Sequence, residues 1–397
     1  MRRRTVLSME QATALPHATQ RFAQLGWRVI RIEATGEPGA AQPGDPNRYV
    51  GKKVADDGRH ALFIPPNTGK EAIALNLKSA EGRAVLHRLV TALDADVFTC
   101  NTLPSRYKQL GIDYETLSAI KPDIIWASIS ALGHGVPTFA GYDPVVQAMS
   151  GLMDINGFKD GPPTLMGLPI SDLKAGDEVY ANVLLALLEK AESGRGRCID
   201  VSMLQAAMSW LVQILPLVDM GADPSELSRT GNAHRRFVPT NVYPTRGNFV
   251  YMASGNNVQW QKLVAEPQFT ALADERFATA DGRYEHREEI YRRIGEATGR
   301  MEEADVKALF ARLGIPHTSI NTVSVAMEQP AIRDRLPTTT LPDGRTVRMT
   351  PPAVTVPGTA THLRFPPRYG EHTDAVLAEI GYGAADIATL RAQGAIA

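Results

Sequence analysis

An α/β fold, with a large domain on a parallel sheet and a smaller α+β domain, is predicted by three observations. Strand-like and helix-like segments alternate over roughly the first 130 residues, the rhythm of a parallel sheet covered by helices. Gly221 to Pro239 then breaks that rhythm. Finally, the chain has 397 residues, 44% hydrophobic and 21% charged, enough for two or three ordinary globular domains.

The elements follow in order. Val6-Leu7-Ser8 reads as a first strand, Ala18 to Leu25 as a helix stopped by Gly26, and Val29 to Glu33 as a second strand. A loop rich in Gly, Pro and Asn runs from Gly36 to Tyr49. Then come a strand (Ile73 to Leu77), a helix (Ala80 to Leu93), a strand (Val97 to Cys100), a helix (Tyr107 to Ile120) and a strand (Ile124 to Ile129). This is a Rossmann-like, doubly wound sheet. Its ligand loops are expected beyond the strand carboxyl ends: Asn67 to Lys70, Asn101 to Arg106 and Ser130 to Tyr142.

Residues 161–190 hold the chemistry. Gly161-Pro162-Pro163 and Gly167-Leu168-Pro169 cannot continue a helix, and they deliver the chain to Ser171-Asp172. From there Leu173, Val179, Val183, Leu184, Leu187 and Leu188 recur at helical spacing. Asp172 thus stands at a helix N-terminus, where free N–H groups and the dipole favour an anion. It is either an N-cap or a carboxylate nucleophile whose oxyanion those N–H groups would bear. A strand (Cys198 to Val201) follows, then an apolar helix from Met203 to about Met220. Its stripe of Met203, Ala207, Trp210, Leu211 and Leu215 reads as packing surface. Asn248 to Ala253 is a strand, Gln259 to Leu313 is mostly helical, and a helical pair spans Asp374 to Leu390.

Several function classes are disfavoured. No G-x-G-x-x-G follows the first strand. Thr68-Gly69-Lys70-Glu71 lacks the first Gly and the final Ser or Thr of a phosphate-binding P-loop. There is no metal-ligand spacing. A net charge of -1 gives no nucleic-acid or anionic-membrane surface, and no apolar run reaches transmembrane length. The start, MRRRTVLSMEQATALPHA, lacks a signal-peptide core, and only Cys100 and Cys198 are present, so a cytoplasmic setting is expected.

Motifs in fixed order complete the reading: GDPNR (Gly44 to Arg48), N-x-x-K (Asn67 to Lys70), Ala95 to Val97 followed by Asn101, and AGYDPVVQAMSG (Ala140 to Gly151). GPP (Gly161 to Pro163), G-x-P-x-x-D (Gly167 to Asp172), GRGRCIDVSML (Gly194 to Leu204) and GEHTD (Gly370 to Asp374) follow. With these the chain resembles, nearly end to end, the family III CoA-transferases of the formyl-CoA transferase and carnitine CoA-transferase type.

The resemblance implies interlocked, ring-like homodimers. Residues 1–202 would form a large CoA-binding domain, 203–225 a linker helix, 226–325 a small domain, and 326–397 a linker and return to the large domain. It makes Asp172 the nucleophile, carrying first an acyl group as a mixed anhydride and then CoA as a thioester, with no metal or prosthetic group. It places Gln11, Tyr142 and Asp143 beside the reacting carboxylate. Arg48, Asn67, Lys70 and Asn101 become CoA contacts, with Lys70 as a point charge for phosphate. Where the family has a basic residue after the strand-end Asn, this chain has Leu103, with Arg106 as a substitute. The family's glycine-only lid has no counterpart, and Ser254 to Asn257 is a shorter loop. CoA enters only as part of the substrates, and no nucleic-acid or membrane partner is expected.

A small polar acid, such as a dicarboxylate, is the expected acceptor and succinyl-CoA the expected donor, because Arg229 to Arg236 could hold a distal carboxylate. Two alternatives stand beside this reading: an α-methylacyl-CoA racemase and an inactive CoA-binding protein. The racemase needs a His where this chain has Tyr142, a poor base near neutral pH.

Overall fold

A computed structural model describes residues 3–36, 42–55 and 57–397 of the chain. Positions 37–41 of the Gly36–Tyr49 loop therefore lie outside the described residues. The chain divides into two compact units: Met1–Leu152 with Leu165–Val212 and Ala331–Ala397, and Met153–Thr164 with Gln213–Pro330.

In the first unit, β1 (Thr5–Met9) leads through a helix, Ala14–Gln24, to β2 (Arg28–Ala34). A small hairpin, β3 (Lys53–Ala55) and β4 (Arg59–His60), stands apart from the main sheet. After it come β5 (Glu71–Leu75), β6 (Val97–Cys100), β7 (Ile125–Ser130) and β8 (Arg197–Ser202). Six strands pair in the spatial order β5-β2-β1-β6-β7-β8, every pair parallel. Successive strand side chains point to opposite faces, so one strand feeds two cores. Val6, Val97 and Ile125 pack with Phe22 and Val179, while Leu7, Phe98 and Trp126 pack with Leu86, Leu89 and Leu377. Each such burial is worth about 1.5–3 kcal/mol relative to exposure, which fixes the register.

The 24-residue helix Ile170–Ser193 ends at Gly194, whose left-handed φ of 67° lets its N–H reach the Lys190 carbonyl at 2.8 Å. It lies directly on the Ala14–Gln24 helix. A Cβ at Gly176 would sit 2.6 Å from the Ala14 carbonyl oxygen, so glycine is what permits the contact.

Four elements differ from expectation. The first helix starts at Ala14 rather than Ala18, with Pro16 tolerated because it falls in the first turn. The strand expected at Ile73–Leu77 begins two residues earlier. The helix expected over Tyr107–Ile120 is two pieces, Tyr107–Leu110 and Tyr114–Ile120, because Gly111 adopts a left-handed φ of 66° between them. The helix expected from Met203 to Met220 is likewise broken, into Met203–Met208 and Leu215–Asp219. Pro216 explains the break, since its ring excludes the carbonyl four residues earlier. Of the expected packing stripe, Met203, Ala207 and Leu211 are buried, but Trp210 is 45% and Leu215 43% exposed.

The second unit carries an antiparallel sheet in the order β11-β10-β9, formed by β9 (Asn241–Pro244), β10 (Phe249–Met252) and β11 (His317–Ser319). Helices over Arg287–Thr298 and Glu303–Leu313 bury Ile290, Ile294, Val306 and Phe310 against it.

Candidate active site

In sequence order the six parallel strands lie 3-2-1-4-5-6, so β1 and β6 flank the point where the winding reverses. Such crevices receive ligands beyond the strand carboxyl ends. Here the loops after β1 and β6 clasp each other: the Gln11 N–H donates to Asn101 Oδ1 at 3.0 Å, and Asn101 Nδ2 donates to the Gln11 carbonyl at 2.8 Å. Ala12 next to it holds a left-handed φ of 60°, and its N–H donates to Asp45 Oδ1 at 3.2 Å. A non-glycine residue adopts that conformation only when its surroundings hold it there. A small cavity of about 70 Å³ opens at this point, among Glu10, Gln11, Glu33, Gly44 and Asn101.

Asp172 stands at the same end of the fold. The Ala14–Gln24 and Ile170–Ser193 helices run in one direction, as contacts of Gly176 with Ala14 and of Asp177 with His17 and Arg21 show. Gln11 precedes the first helix and Asp172 opens the second, so both sit at the paired N-termini.

Asp172 is not the N-cap. That position is Pro169, and the capping role falls to Asp143 from another helix, Asp143–Met149. Asp143 Oδ1 accepts from the Ser171 N–H at 2.7 Å and the Asp172 N–H at 3.3 Å. The N–H of Ile170 goes to the Leu168 carbonyl and that of Leu173 to the Pro169 carbonyl. The Leu173 bond is already the first helical one and Pro169 has no N–H, so all three orphan donors, those of Ile170, Ser171 and Asp172, are taken. This corrects the expectation that they would bear the oxyanion, because a carbonyl and the Asp143 carboxylate already occupy them.

Asp172 itself is half-buried, and its carboxyl accepts no hydrogen bond among the described residues. Burial, and the Asp143 carboxylate beside it, push its pKa up to about 7. Tyr142, expected beside the reacting carboxylate, is 76% exposed.

The residues expected to meet CoA divide sharply. Arg106 is exposed at the end of a short turn, Pro104–Arg106, and Asn101 lines the crevice. Arg48, Asn67 and Lys70 are wholly buried. Lys70 Nζ donates to Glu10 Oε1 at 2.7 Å, Thr19 Oγ1 at 2.7 Å and the Pro16 carbonyl at 3.0 Å. Arg48 grips Glu33 at 2.6 and 2.7 Å, and Arg31 bonds both Asp45 and Asn67. These are links in one ionic network under the crevice, which also fixes Asp45 and hence Ala12.

The expectation of Lys70 as a point charge for phosphate is revised accordingly. Its segment precedes β5 rather than following a strand, and its ammonium is already neutralised. Burial lowers its pKa to about 8, against the pull of Glu10.

The second unit holds a cavity of about 1350 Å³. Arg229 to Arg235 line it, with Tyr284, Arg287 and Tyr291. Arg229 is paired with Asp154 at 2.9 Å, and Arg236, outside the cavity, with Glu226. Arg235 donates from Nη1 to the carbonyls of Glu226 and Ser228 and has no carboxylate partner among the described residues. The Tyr291 hydroxyl is buried without a hydrogen bond among the described residues.

Residues 1–373 match CoA-transferase family III. A succinate–glutarate CoA-transferase from Agrobacterium fabrum is 32% identical, with 94% of each chain covered. The Mus musculus succinyl-CoA:glutarate CoA-transferase is 30% identical over 94% of this chain and 85% of its own. Among solved structures, a CaiB/BaiF family protein from Brucella suis superposes with a TM-score of 0.81 at 29% identity, covering 95% of this chain and 98% of that one.

Proposed function

The chain belongs to CoA-transferase family III, and we propose that it moves CoA from a succinyl-CoA-type donor to a small polar acid through covalent intermediates on Asp172. Among its relatives are proteins named for succinate or succinyl-CoA and glutarate. One observation carries the reading: a half-buried carboxyl without a hydrogen-bond partner among the described residues, opening a helix beside a second carboxylate.

The chemistry balances without an added proton. A carboxylate oxygen of Asp172 attacks the thioester carbonyl, the C–S bond breaks, and CoA leaves as thiolate. The thiolate then attacks the aspartyl carbonyl of the anhydride, releasing the donor acid and leaving an aspartyl-CoA thioester. The acceptor carboxylate repeats both steps in reverse and restores Asp172.

Raised basicity serves the first step. An ordinary thiol has a pKa of about 8.5 and a free aspartate about 3.9, so the tetrahedral adduct would expel the carboxylate again. A group near 7 competes far better against the thiolate. The N–H donors for the oxyanion must come from elsewhere than the Asp172 helix.

In the second unit's cavity Arg235 has no carboxylate partner among the described residues, and of the Arg229 to Arg236 segment it is the residue we assign to holding a carboxylate. Arg235→Ala should weaken dicarboxylate binding at least about tenfold, the weight of one charge-assisted pair, and leave thioester binding unchanged. An interlocked homodimer in the cytoplasm, with no prosthetic group, completes the proposal. Light scattering that gives a monomer mass at assay concentration would remove the dimer. A donor–acceptor screen by mass spectrometry tests the substrates. Hydroxylamine trapping after an acyl-CoA pulse tests Asp172, and label on any other residue would overturn the assignment.

A further inference from the structure

Gln147 lies in the helix that begins with Asp143, and its side chain is wholly buried. Its amide makes three bonds to two different segments. Nε2 donates to Asp143 Oδ2 at 2.6 Å and to the Leu168 carbonyl at 3.2 Å, while Oε1 accepts from the Met166 N–H at 3.0 Å. Two acceptors face the nitrogen and one donor faces the oxygen, so the pattern fixes the orientation of the amide. Met166 and Leu168 belong to the turn that hands the chain to Asp172, and Asp143 caps the helix Asp172 opens.

We propose that Gln147 is a positioning residue for CoA transfer: it ties the 166–168 turn to Asp143, and so holds the capping carboxylate in place beside Asp172. The proposal rests on the reading of Asp172 as nucleophile. Both oxygens of Asp143 are committed, one to the helix N–H groups and one to Gln147. Rotation of that carboxylate would break a bond at one end or the other. Its charge therefore acts on Asp172 from a set distance and keeps the nucleophile basic. An acid cannot replace the Gln147 amide. A glutamate there would set a carboxylate oxygen against both Asp143 and the Leu168 carbonyl. Further along the Asp172 helix, Lys174 pairs with Glu178, and Asp177 pairs with His17 and Arg21 of the neighbouring helix.

Two variants test the proposal. Gln147→Met keeps length and apolar volume but makes none of the three bonds. Gln147→Glu keeps shape but puts an acceptor in place of the donor that makes two of them. For Met, kcat should fall about ten- to a hundredfold with KM for the acyl-CoA within about twofold, since the lost bonds act on the nucleophile and not on CoA. For Glu, the rising limb of the kcat–pH profile should also move to higher pH by about one unit, the effect of a like charge at close range.

Circular dichroism melts report whether each variant folds. If Glu prevents folding, the Met result decides. Acyl-CoA labelling of the wild-type enzyme is run alongside. Label away from Asp172 would overturn the nucleophile and the proposal together. Label on Asp172, with kcat unchanged in the folded variants, would overturn the proposal alone. A fall in kcat matched by an equal rise in KM for acyl-CoA would also overturn it.

Discussion

Asp172→Asn should abolish transfer and stabilise the protein. The substitution keeps shape and removes a charge the fold tolerates poorly. Burial and the Asp143 carboxylate raise the group from 3.8 to about 7. At about 1.4 kcal/mol per pKa unit, that bounds the cost of the anion near 4 kcal/mol. Asp172 is only half-buried, and solvent screening of its exposed edge reduces the figure to about 1–2 kcal/mol. The new amide can also donate to Asp143.

The sign follows from linkage. A carboxyl with a raised folded pKa binds its proton more tightly folded than unfolded. Its cost is absent below pH 3.8, grows as pH rises, and levels off above about 7. Urea denaturation of parent and variant at about pH 8 and about pH 4 should show a gain of about 1–2 kcal/mol that shrinks at the lower pH. Thioester exchange should fall at least about a thousandfold, since the covalent route is removed. A variant less stable than the parent at pH 8, or one that exchanges CoA at the parental rate, would refute the reasoning.

Three further outcomes follow from the same geometry. The kcat–pH profile should rise through about pH 7 as Asp172 ionises, and a flat profile from 5 to 8 would contradict the assignment. Lys70→Met should cost about 3–5 kcal/mol by leaving Glu10 buried and unpaired, with part regained in the Glu10→Gln, Lys70→Met double variant. A stable single variant with a raised KM for acyl-CoA would instead restore Lys70 as a phosphate contact. Gly176→Ala should cost about 1–3 kcal/mol, because its Cβ would strike the Ala14 carbonyl, and lower kcat by pushing apart the two helix N-termini near Gln11 and Asp172. Unchanged melting would show that the two helices can separate freely.

Much of this was legible in residue order. Val6-Leu7 and Val29 to Glu33 announce buried parallel strands because both faces of the sheet are covered, and the turn before Asp172 announces a helix start. The breaks were harder to read. Gly111 and Pro216 sit inside apolar periodicity that continues across them, so the pattern alone hides the interruption.

The site was half visible. Spacing brings out Asp172, but which group caps its helix depends on a contact with Asp143, 28 residues upstream of Ser171. Gln147 had one available signal, its position four residues after an acid on a helix, where side chains meet. The burial of Arg48, Asn67 and Lys70 left no trace in sequence, since polar and basic residues in segments with Gly and Pro ordinarily read as solvated loops.

The capping of the Asp172 helix by Asp143 bears on inhibitor chemistry. Molecules that carry a carboxylate or phosphonate into that corner would meet two fixed acids and find the amide donors already engaged. Neutral electrophiles or primary amides, able to offer N–H bonds to Asp143, are the better starting points.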